Sequence, residues 1–352
     1  MIKTTTKETL DAKSEAQRLS FAPVVFQTIH CLIKFNVLEV LHANRKQGIG
    51  KDGLLQEVNI SDYGLGVLLE MGLLADIVKF EDDKYHLTKV GYFLLKDPMT
   101  KANFDFVRDV CYQGLFYLDD SIEKGKPEGL KVFGEWPTIY EGLSQLPPKI
   151  QDSWFKFDHF YSDDSFRDAL KIVFENGPKH ILDVGGNTGK FTRKCCEYDS
   201  NVQVSILDLP GQLKMAAENI EEWGYTKRVN FVPTNVLSPE LPFPNGDAIW
   251  MSQFLDCFSK EQVVSILSHA KKSMTKATDL YIMETFWDNQ EFDAAGFSVA
   301  ATSLYFTAMA NGNSKMYGLE EFEQLVEDAG LEVVKRHAIV GISHTILHCK
   351  LA

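Results

Sequence analysis

The sequence predicts an α/β fold in which a doubly wound, mostly parallel sheet follows a smaller and mostly helical domain. Two observations predict it: helical patterns dominate before Pro178, and after Pro178 short apolar strands alternate with helical patterns. Strands that alternate with helices form parallel sheets with crossover connections. Sheets of this kind bind ligands at the carboxyl ends of their strands, so we expect the functional site there.

Residues 1–100 are predicted to form a winged-helix domain. Helical patterns extend from about residue 21 to residue 96, and the helical segment 60–74 leads into two short strands at 77–80 and 85–88. The strands are joined by a charged turn, which is typical of a hairpin. A helix followed by such a hairpin indicates a winged helix.

Residues 101–352 are predicted to contain a helical linker followed by the α/β domain. The linker extends to about Val173 and is interrupted by prolines. The strands of the sheet are predicted at 180–184, 202–207, 229–232, 248–251 and 280–283, with a closing antiparallel pair at 333–337 and 345–350.

Composition restricts the classes of function. The 352 residues are 45% hydrophobic, which excludes a disordered protein, and no apolar run reaches the roughly 18 residues of a membrane-spanning helix. The net charge of −13 disfavours nucleic-acid binding, because neutralising phosphates requires Lys and Arg. Six scattered cysteines predict reduced thiols, and their spacing indicates no metal site. We expect a cytoplasmic protein that binds neither nucleic acid nor membrane.

A glycine-rich turn follows the first strand of the predicted sheet. It reads DVGGNTG over residues 183–189 and precedes a helical run. A dinucleotide fingerprint would place glycine at position 184, where this chain has Val184. A second acid, Asp208, ends the next strand 19 residues after Gly189. There it can accept both ribose hydroxyl protons of an adenosine-containing ligand.

Asp183 indicates which ligand the turn binds. Its carboxylate lies where a dinucleotide would carry a negatively charged pyrophosphate, so NAD is disfavoured. S-adenosylmethionine (SAM) carries an ammonium and a sulfonium and fits this charge pattern. The alternative is an ordinary structural turn between strand and helix. We predict SAM as the cofactor.

Together these motifs resemble those of the two-domain small-molecule O-methyltransferases. In that family a winged-helix dimerisation domain precedes a class I SAM-dependent methyltransferase domain with a Rossmann-like sheet. The resemblance extends from about Phe21 to the carboxyl terminus. It implies methyl transfer from SAM to a small-molecule acceptor, with S-adenosylhomocysteine (SAH) as product. It also implies an intertwined homodimer, formed through the amino-terminal domain, in which that domain helps to wall the partner's substrate pocket.

The resemblance carries the family's cofactor contacts onto this chain residue by residue. The acid and glycines of the turn match, as do the ribose acid Asp208 and its apolar neighbour Leu209. Where the family has an acid beside the adenine, this chain has an amide, Asn235, which can still hydrogen-bond the adenine amino group. The cofactor contacts predicted in this way are Asp183, Gly185, Gly186, Asn187, Gly189, Asp208, Leu209, Asn235, Val236, Ser252 and Gln253.

The predicted acceptor pocket is apolar and aromatic, which suggests a flat aromatic or conjugated acceptor. A family pattern, Phe-x3-Met-x3-Ser, appears as Phe157, Tyr161 and Ser165 on one face of a helix. Site contact and plain core packing both remain open for these side chains. The predicted acceptor contacts are Phe157, Tyr161, Phe254, Tyr305 and Met309, with Phe116 and Tyr117 as further candidates.

The family's catalytic pattern is broken in this chain. Asp256 stands where the family has the His that takes the acceptor's proton. Glu284 matches one of the two acids that orient that His, and Met316 replaces the other. We predict Asp256 and Glu284 as the catalytic residues. An ordinary carboxylate is a weak base for a phenol, so burial and Glu284 would have to raise the pKa of Asp256.

Several alternatives remain open. The acceptor could be acidic enough to need little help, or the base could be His159 or a partner subunit's His30. The protein could also bind SAM without methylating, or act as a dimeric binding module. A metal shared by Asp256 and Glu284 is a further variant. A winged-helix DNA-binding regulator is disfavoured because residues 60–73 contain no Lys or Arg.

Overall fold

The computed structural model describes residues 8–237 and 243–352. Within them the chain forms two compact units, residues 8–105 and residues 106–352. The division lies close to the domain boundary predicted after residue 100, and the roles predicted for the two domains stay predictions.

The first unit is helical, with one short hairpin. Its core consists of aliphatic side chains shielded from solvent, among them Leu32 and Leu65. Ser61 and Thr88 begin two of its helices, and each side chain accepts a backbone N–H of the first helical turn. Its elements are α1 (Thr9–Ser20), α2 (Ala22–Lys34), α3 (Val37–Ala43), α4 (Lys51–Glu57), α5 (Asp62–Leu74), β1 (Val78–Glu81), β2 (Lys84–Leu87), α6 (Lys89–Lys96) and, ending at the division, α7 (Pro98–Phe106).

The hairpin follows α5, in the order that the sequence predicts. Val78 pairs with Leu87, and both turn residues, Asp82 and Asp83, have positive φ, as a two-residue type I′ turn requires. The predicted strands are therefore correct to within one residue. In the described part of the chain no single helix is long and apolar enough to span a membrane, while the bent pair α2 and α3 meets that test on length and composition alone.

A helical segment precedes the large sheet of the second unit. Its longest helix begins at Pro148, where a proline removes no intrahelical hydrogen bond, and buries Trp154 and Phe166. The helices of this segment are α8 (Leu118–Lys124), α9 (Ile139–Gly142) and α10 (Pro148–Val173), with single turns at 107–111, 114–117, 128–132 and 143–145.

Seven strands form one sheet flanked by helices on both faces. The strands are β3 (His180–Val184), β4 (Gln203–Asp208), β5 (Val229–Pro233), β6 (Ala248–Ser252), β7 (Asp279–Glu284), β8 (Leu331–Val340) and β9 (His344–Leu351). The helices are α11 (Lys190–Tyr198), α12 (Pro210–Glu222), α13 (Lys260–Lys271), α14 (Asp293–Tyr305) and α15 (Leu319–Asp328). The strand order is β5-β4-β3-β6-β7-β9-β8.

The central strands are apolar on both faces because helices cover both sides. All residues of β7 are buried, as are all but the last residue of β6. Strands β3 to β7 are parallel to one another, and β9 lies between β7 and β8 and is antiparallel to both. The predicted doubly wound sheet and its closing antiparallel pair are confirmed. Because β4 and β6 lie on opposite sides of β3, the connections diverge there and leave a crevice at its carboxyl end.

Candidate active site

A cavity of about 400 Å³ opens at the carboxyl ends of β3, β4 and β6. The turns after these strands line it, and the middle of α10 forms a further wall. This is the edge of the sheet at which the sequence predicts a site. The predicted contacts that line the cavity are Asp183, Gly185, Gly186, Asn187, Asp208, Leu209, Asn235, Val236, Ser252, Gln253, Phe157, Phe254, Tyr305 and Asp256.

Four residues of the predicted catalytic, cofactor and acceptor sets do not line the cavity, and neither do the further candidates Phe116 and Tyr117. Gly189 begins α11 with a φ of +81°, and Tyr161 packs edge-on against the Phe157 ring. Met309 is fully buried in a core cluster, and Glu284 lies buried at the end of β7. The apolar pattern predicts burial for Tyr161 and Met309 without distinguishing a cavity wall from a packed core.

The glycine-rich turn brings bare backbone to the cavity. Gly185 has a φ of +73°, and a Cβ there would lie 2.2 Å from Cδ2 of Phe254, so the position requires glycine. Its N–H donates to the Leu207 carbonyl at 2.8 Å, which joins the turn to β4. Asn187 also has a left-handed backbone, with a φ of +48°.

Asp208 is held by the backbone on both sides. Its Oδ2 accepts the N–H of Asn187 at 2.8 Å, and its Oδ1 accepts the N–H of Leu209 at 2.7 Å. Burial raises the pKa of Asp208, and these two bonds oppose that rise. Each oxygen retains a lone pair for a hydroxyl donor, so the carboxylate can receive a vicinal diol.

Asp183 lies beneath the same turn and is only 2% exposed. Its Oδ2 accepts the Thr192 hydroxyl at 2.6 Å and would lie 2.9 Å from a Cβ on Gly186. Burial raises the pKa of Asp183 to about 7. A buried acid in this place favours a cationic ligand and opposes a phosphate.

The amide that replaces the family's adenine-side acid belongs to a turn after β5. Asn235 and Val236 both line the cavity, and Asn235 Oδ1 accepts the N–H of Leu237 at 3.1 Å. The amide oxygen is therefore oriented by its own turn, as Asn side chains commonly are.

Asp256 projects from the single-turn helix 255–257 and is 4% exposed. The Cys257 thiol donates to its Oδ1 at 3.4 Å, and burial raises the pKa of Asp256 to about 6. Glu284 holds the backbone of this segment, because its Oε1 accepts the N–H groups of Phe254 at 3.0 Å and Leu255 at 2.8 Å. Burial, followed by the charge of Asp256, raises the pKa of Glu284 well above its ordinary value.

Met316, the residue predicted to replace the family's second orienting acid, lines the cavity with its thioether side chain. Met316 is 7% exposed, and the Thr285 hydroxyl donates to its Sδ at 3.8 Å. Nearby, Gln253 has a φ of +46°, which is unusual for a residue other than glycine. Its Oε1 is buried and has no hydrogen-bond partner within the described residues. Strained backbone of this kind concentrates at functional sites.

Sequence reasoning missed Asp158, which also lines the cavity. Its side chain is 28% exposed, and burial together with the charge of Asp256 raises the pKa of Asp158 to about 7. The neighbouring His159, one of the alternative bases, also lines the cavity, and burial lowers its pKa to about 4. The sequence feature that could have pointed to Asp158 is its position as an acid within the aromatic-rich segment 154–161 of α10.

Two further polar side chains of the wall were also missed. Asn311 donates from Nδ2 to the Cys257 carbonyl at 2.6 Å and to Ser314 Oγ at 2.8 Å, so it holds the segment that carries Asp256. Tyr140 lies beside the Cys257 thiol, and burial raises its pKa. Of the other acceptor candidates, Phe116 is 78% exposed.

The residues present fit SAM. The turn offers backbone without side chains, Asp208 offers two anchored oxygens for a ribose, and Asp183 places a carboxylate beside the turn. Across residues 8–237 and 243–352, no three His, Cys, Asp or Glu side chains are grouped so that they could hold a metal ion.

Comparisons with known proteins agree with this geometry. Residues 13–85 match the model of the Dimerisation2-like domain, and residues 117–332 match the model of the O-methyltransferase domain. The chain is 24% identical over 332 residues to an L-tyrosine C(3)-methyltransferase of Streptomyces lavendulae, covering 93% of this chain and 88% of that protein.

Solved structures share the fold along nearly the whole chain. The SAM-dependent methyltransferase SibL, in its apo form, superposes with a TM-score of 0.74 at 20% identity, covering 96% of this chain and 99% of that one. An O-methyltransferase of neocarzinostatin biosynthesis, in complex with SAM and 2-hydroxy-5-methyl naphthoic acid, superposes with a TM-score of 0.68 at 19% identity. That superposition covers 93% of this chain and 96% of the other. The predicted α/β class and the family resemblance are confirmed.

Proposed function

This chain belongs to the O-methyltransferase domain family, and from that premise we propose that it methylates an oxygen of a small aromatic or conjugated acceptor. It is a SAM-dependent methyltransferase, with SAM as cofactor and SAH as product. The acceptor oxygen and the use of Asp256 in place of the family's His are the proposed parts.

One observation carries the proposal. A single cavity joins the glycine-rich turn and Asp208 to aromatic walls and to the buried carboxylate of Asp256. Methyl transfer requires the methyl donor and the acceptor in one enclosed space, because displacement needs the reacting atoms close and in line. Phe157 and Tyr305 give the acceptor's part of the cavity flat apolar surfaces.

The cofactor would be held by residues that the geometry has placed together. Asp208 would receive the ribose hydroxyls, Asn235 and Val236 would flank the adenine, and Asp183 would support the cationic amino-acid end near the bare backbone of the turn. When bound, SAM supplies an activated methyl group. The protein's own residues position the acceptor and exclude water from it.

Asp256 is proposed as the group that accepts the acceptor's hydroxyl proton. Burial raises its pKa from 3.8 to about 6, which brings it nearer to an ordinary phenol at about 10. A change of about two units makes the proton transfer roughly 3 kcal/mol less unfavourable. Glu284 acts as a positioning residue, because it binds the backbone of the segment that carries Asp256.

Methylation of a ring carbon is a second candidate. It is favoured by the relative from Streptomyces lavendulae, whose name assigns methyl transfer to C3 of L-tyrosine. A base beside a phenol hydroxyl would assist both O-methylation and C-methylation, because a phenolate carries negative charge on its oxygen and on the ortho and para ring carbons. Which atom lies in line with the methyl group would then decide the product.

We propose a cytoplasmic homodimer formed through the amino-terminal unit. That unit includes the match to the Dimerisation2-like domain, and no residue of α1 is buried. Leu10, Leu19 and Phe21 are more than half exposed, so a second copy would give them a place to pack. All six cysteines are free, which suits a reducing compartment. Sedimentation velocity would test the dimer, and a monomer at micromolar concentration would contradict it.

Calorimetry followed by product analysis tests the proposed reaction. We expect SAM and SAH to bind and NAD not to bind. Incubation with methyl-labelled SAM and a panel of phenols should then give labelled ethers, identified by mass spectrometry and NMR. Failure to bind SAM and SAH would overturn the proposal, and a product labelled on carbon would favour the second candidate.

A further inference from the structure

The cavity contains a carboxylate to which the proposed reaction gives no role, that of Asp158. We propose that Asp158 is a specificity residue that binds a protonated amine of the acceptor, while Asp256 faces the reacting hydroxyl. The acceptor class is then an amine-bearing phenol. This inference rests on the proposed function, because it concerns the acceptor in the same cavity.

Asp158 has weak polar neighbours within the described residues. The Asn187 amide nitrogen is 3.5 Å from its Oδ2, and His159 Nδ1 is 3.7 Å away, so neither makes a short hydrogen bond. Lys190 also lines the cavity, but its Nζ is 2.6 Å from the Asp163 carboxylate on the outer side of α10. None of the described ion pairs joins Asp158 to a Lys or an Arg.

The surroundings of Asp158 favour a cation. Asp158 is only partly exposed, and a carboxylate that has lost part of its hydration is stabilised by an opposite charge or by hydrogen bonds. The second carboxylate, Asp256, increases the need, because the two negative charges repel each other; the charge of Lys190 opposes this effect, but the pKa of Asp158 remains raised. The neutral state that burial imposes on His159 leaves it unable to supply the charge. A ligand ammonium would satisfy Asp158 with a charge-assisted hydrogen bond.

The cavity walls indicate an organic cation. The described residues offer no group of three acidic, His or Cys side chains for a metal ion. Aromatic rings line the same cavity as Asp158: Phe106 stacks on Phe157 with centroids 3.9 Å apart, and Tyr305 meets Phe106 edge-on at 4.9 Å. Such walls accept the ring of a phenol, and aromatic faces also attract ammonium groups.

The test compares two phenols of similar shape that differ in charge. Tyramine carries a primary amine, and 4-ethylphenol lacks it. The affinity of each for the SAH-saturated full-length protein is measured by calorimetry at pH 8, where a carboxylate is ionised and a primary amine is protonated. We expect tyramine to bind at least about tenfold more tightly than 4-ethylphenol, and Asp158→Asn to remove that difference.

Two controls keep the outcomes distinct. Asp152→Asn removes the same charge from an exposed position of α10 outside the cavity wall and should keep the preference for tyramine. The affinity for SAH should be unchanged in Asp158→Asn, which also reports that the variant is folded. Equal binding of the two phenols, no binding of either, or a preference that survives Asp158→Asn would overturn the inference.

The cofactor reports separately on the proposed function. If Asp158→Asn loses SAH while the wild type binds it, Asp158 contacts the cofactor and the inference fails. If the wild type itself does not bind SAH, the proposed function fails. If the wild type binds SAH and discriminates neither phenol, only the inference about the amine is lost.

Discussion

The proposed cofactor end and the proposed acceptor end of one cavity are built in different ways. At the cofactor end the backbone dominates: Gly185 needs a left-handed conformation, and Asp208 is anchored by two backbone N–H groups. At the proposed acceptor end the chemistry would depend on the side chains of Asp158 and Asp256, which lie on different elements of the unit. A site built from backbone leaves a motif in the sequence. A site built from side chains changes its chemistry with one substitution while the fold is kept.

Gly185→Ala should have the largest effect and tests the backbone-built end. The added Cβ would lie 2.2 Å from the Phe254 ring at a φ of +73°, so the turn must shift. We expect SAM affinity measured by calorimetry to fall by about a hundredfold or more. Gly177→Ala is the matched control, because its φ of +60° carries similar strain with open space around it. Unchanged SAM affinity in Gly185→Ala would show that Phe254 can move aside.

Asp256→Asn should have the next largest effect, confined to the acceptor end. Removing the proposed base should lower kcat by about a hundredfold, since general-base catalysis contributes about 10²–10⁴-fold. SAM affinity should stay within about twofold because the cofactor contacts are untouched. Glu261→Gln, an exposed position on the following helix, is the control. A kcat that survives in Asp256→Asn would remove Asp256 as the base.

The pH dependence of kcat sharpens the same comparison. Asp256 must be ionised to accept a proton, and burial raises its pKa to about 6. The reactive form therefore accumulates as pH rises through 6, and kcat should fall by about tenfold per unit well below that value. Rates at saturating acceptor from pH 4.5 to 8.5 would show this limb. The same profile in Asp256→Asn would contradict the assignment.

Glu284→Gln should have the smallest effect. Glutamine keeps an oxygen for the N–H groups of Phe254 and Leu255, and burial, which raises the pKa of Glu284, already opposes a charge at this position. We expect kcat/KM to stay within about threefold of the wild type. Glu284→Ala leaves two buried N–H groups unpaired and should cost about 2–3 kcal/mol of unfolding free energy in denaturant titrations. A large loss of kcat in Glu284→Gln, with stability retained, would instead give the Glu284 charge a direct role.

Much of the fold could be predicted from local pattern. The first strand of the sheet was predicted at its observed bounds, and its neighbour, β4, differs by one residue at each end. These strands are buried on both faces, so they are mostly apolar and easy to recognise, although Asp183 and Ser205 interrupt them. The turn motif is equally local, because its glycines follow directly from the path of the backbone.

The cavity walls could be predicted only in part. Phe157 lines the cavity, while Tyr161, one helical turn later on α10, does not. Met309 has the apolar character of a wall residue and is core. Periodicity shows which face of a helix is turned inward, and it contains no information about whether a cavity or another side chain lies opposite.

The sequence by itself determined the α/β fold and the cofactor motif, and it predicted Asp256 in place of the family's His. Only the tertiary structure decided what that acid can do. It brought Asp158 and Asp256 to the same cavity although α10 and the turn after β6 are far apart in the chain. It also buried Asp256, shielded Asp158 in part and brought the two charges near each other, and so raised their pKa values. A pKa depends on desolvation and on charges that arrive from distant segments, and these are properties of the folded chain alone.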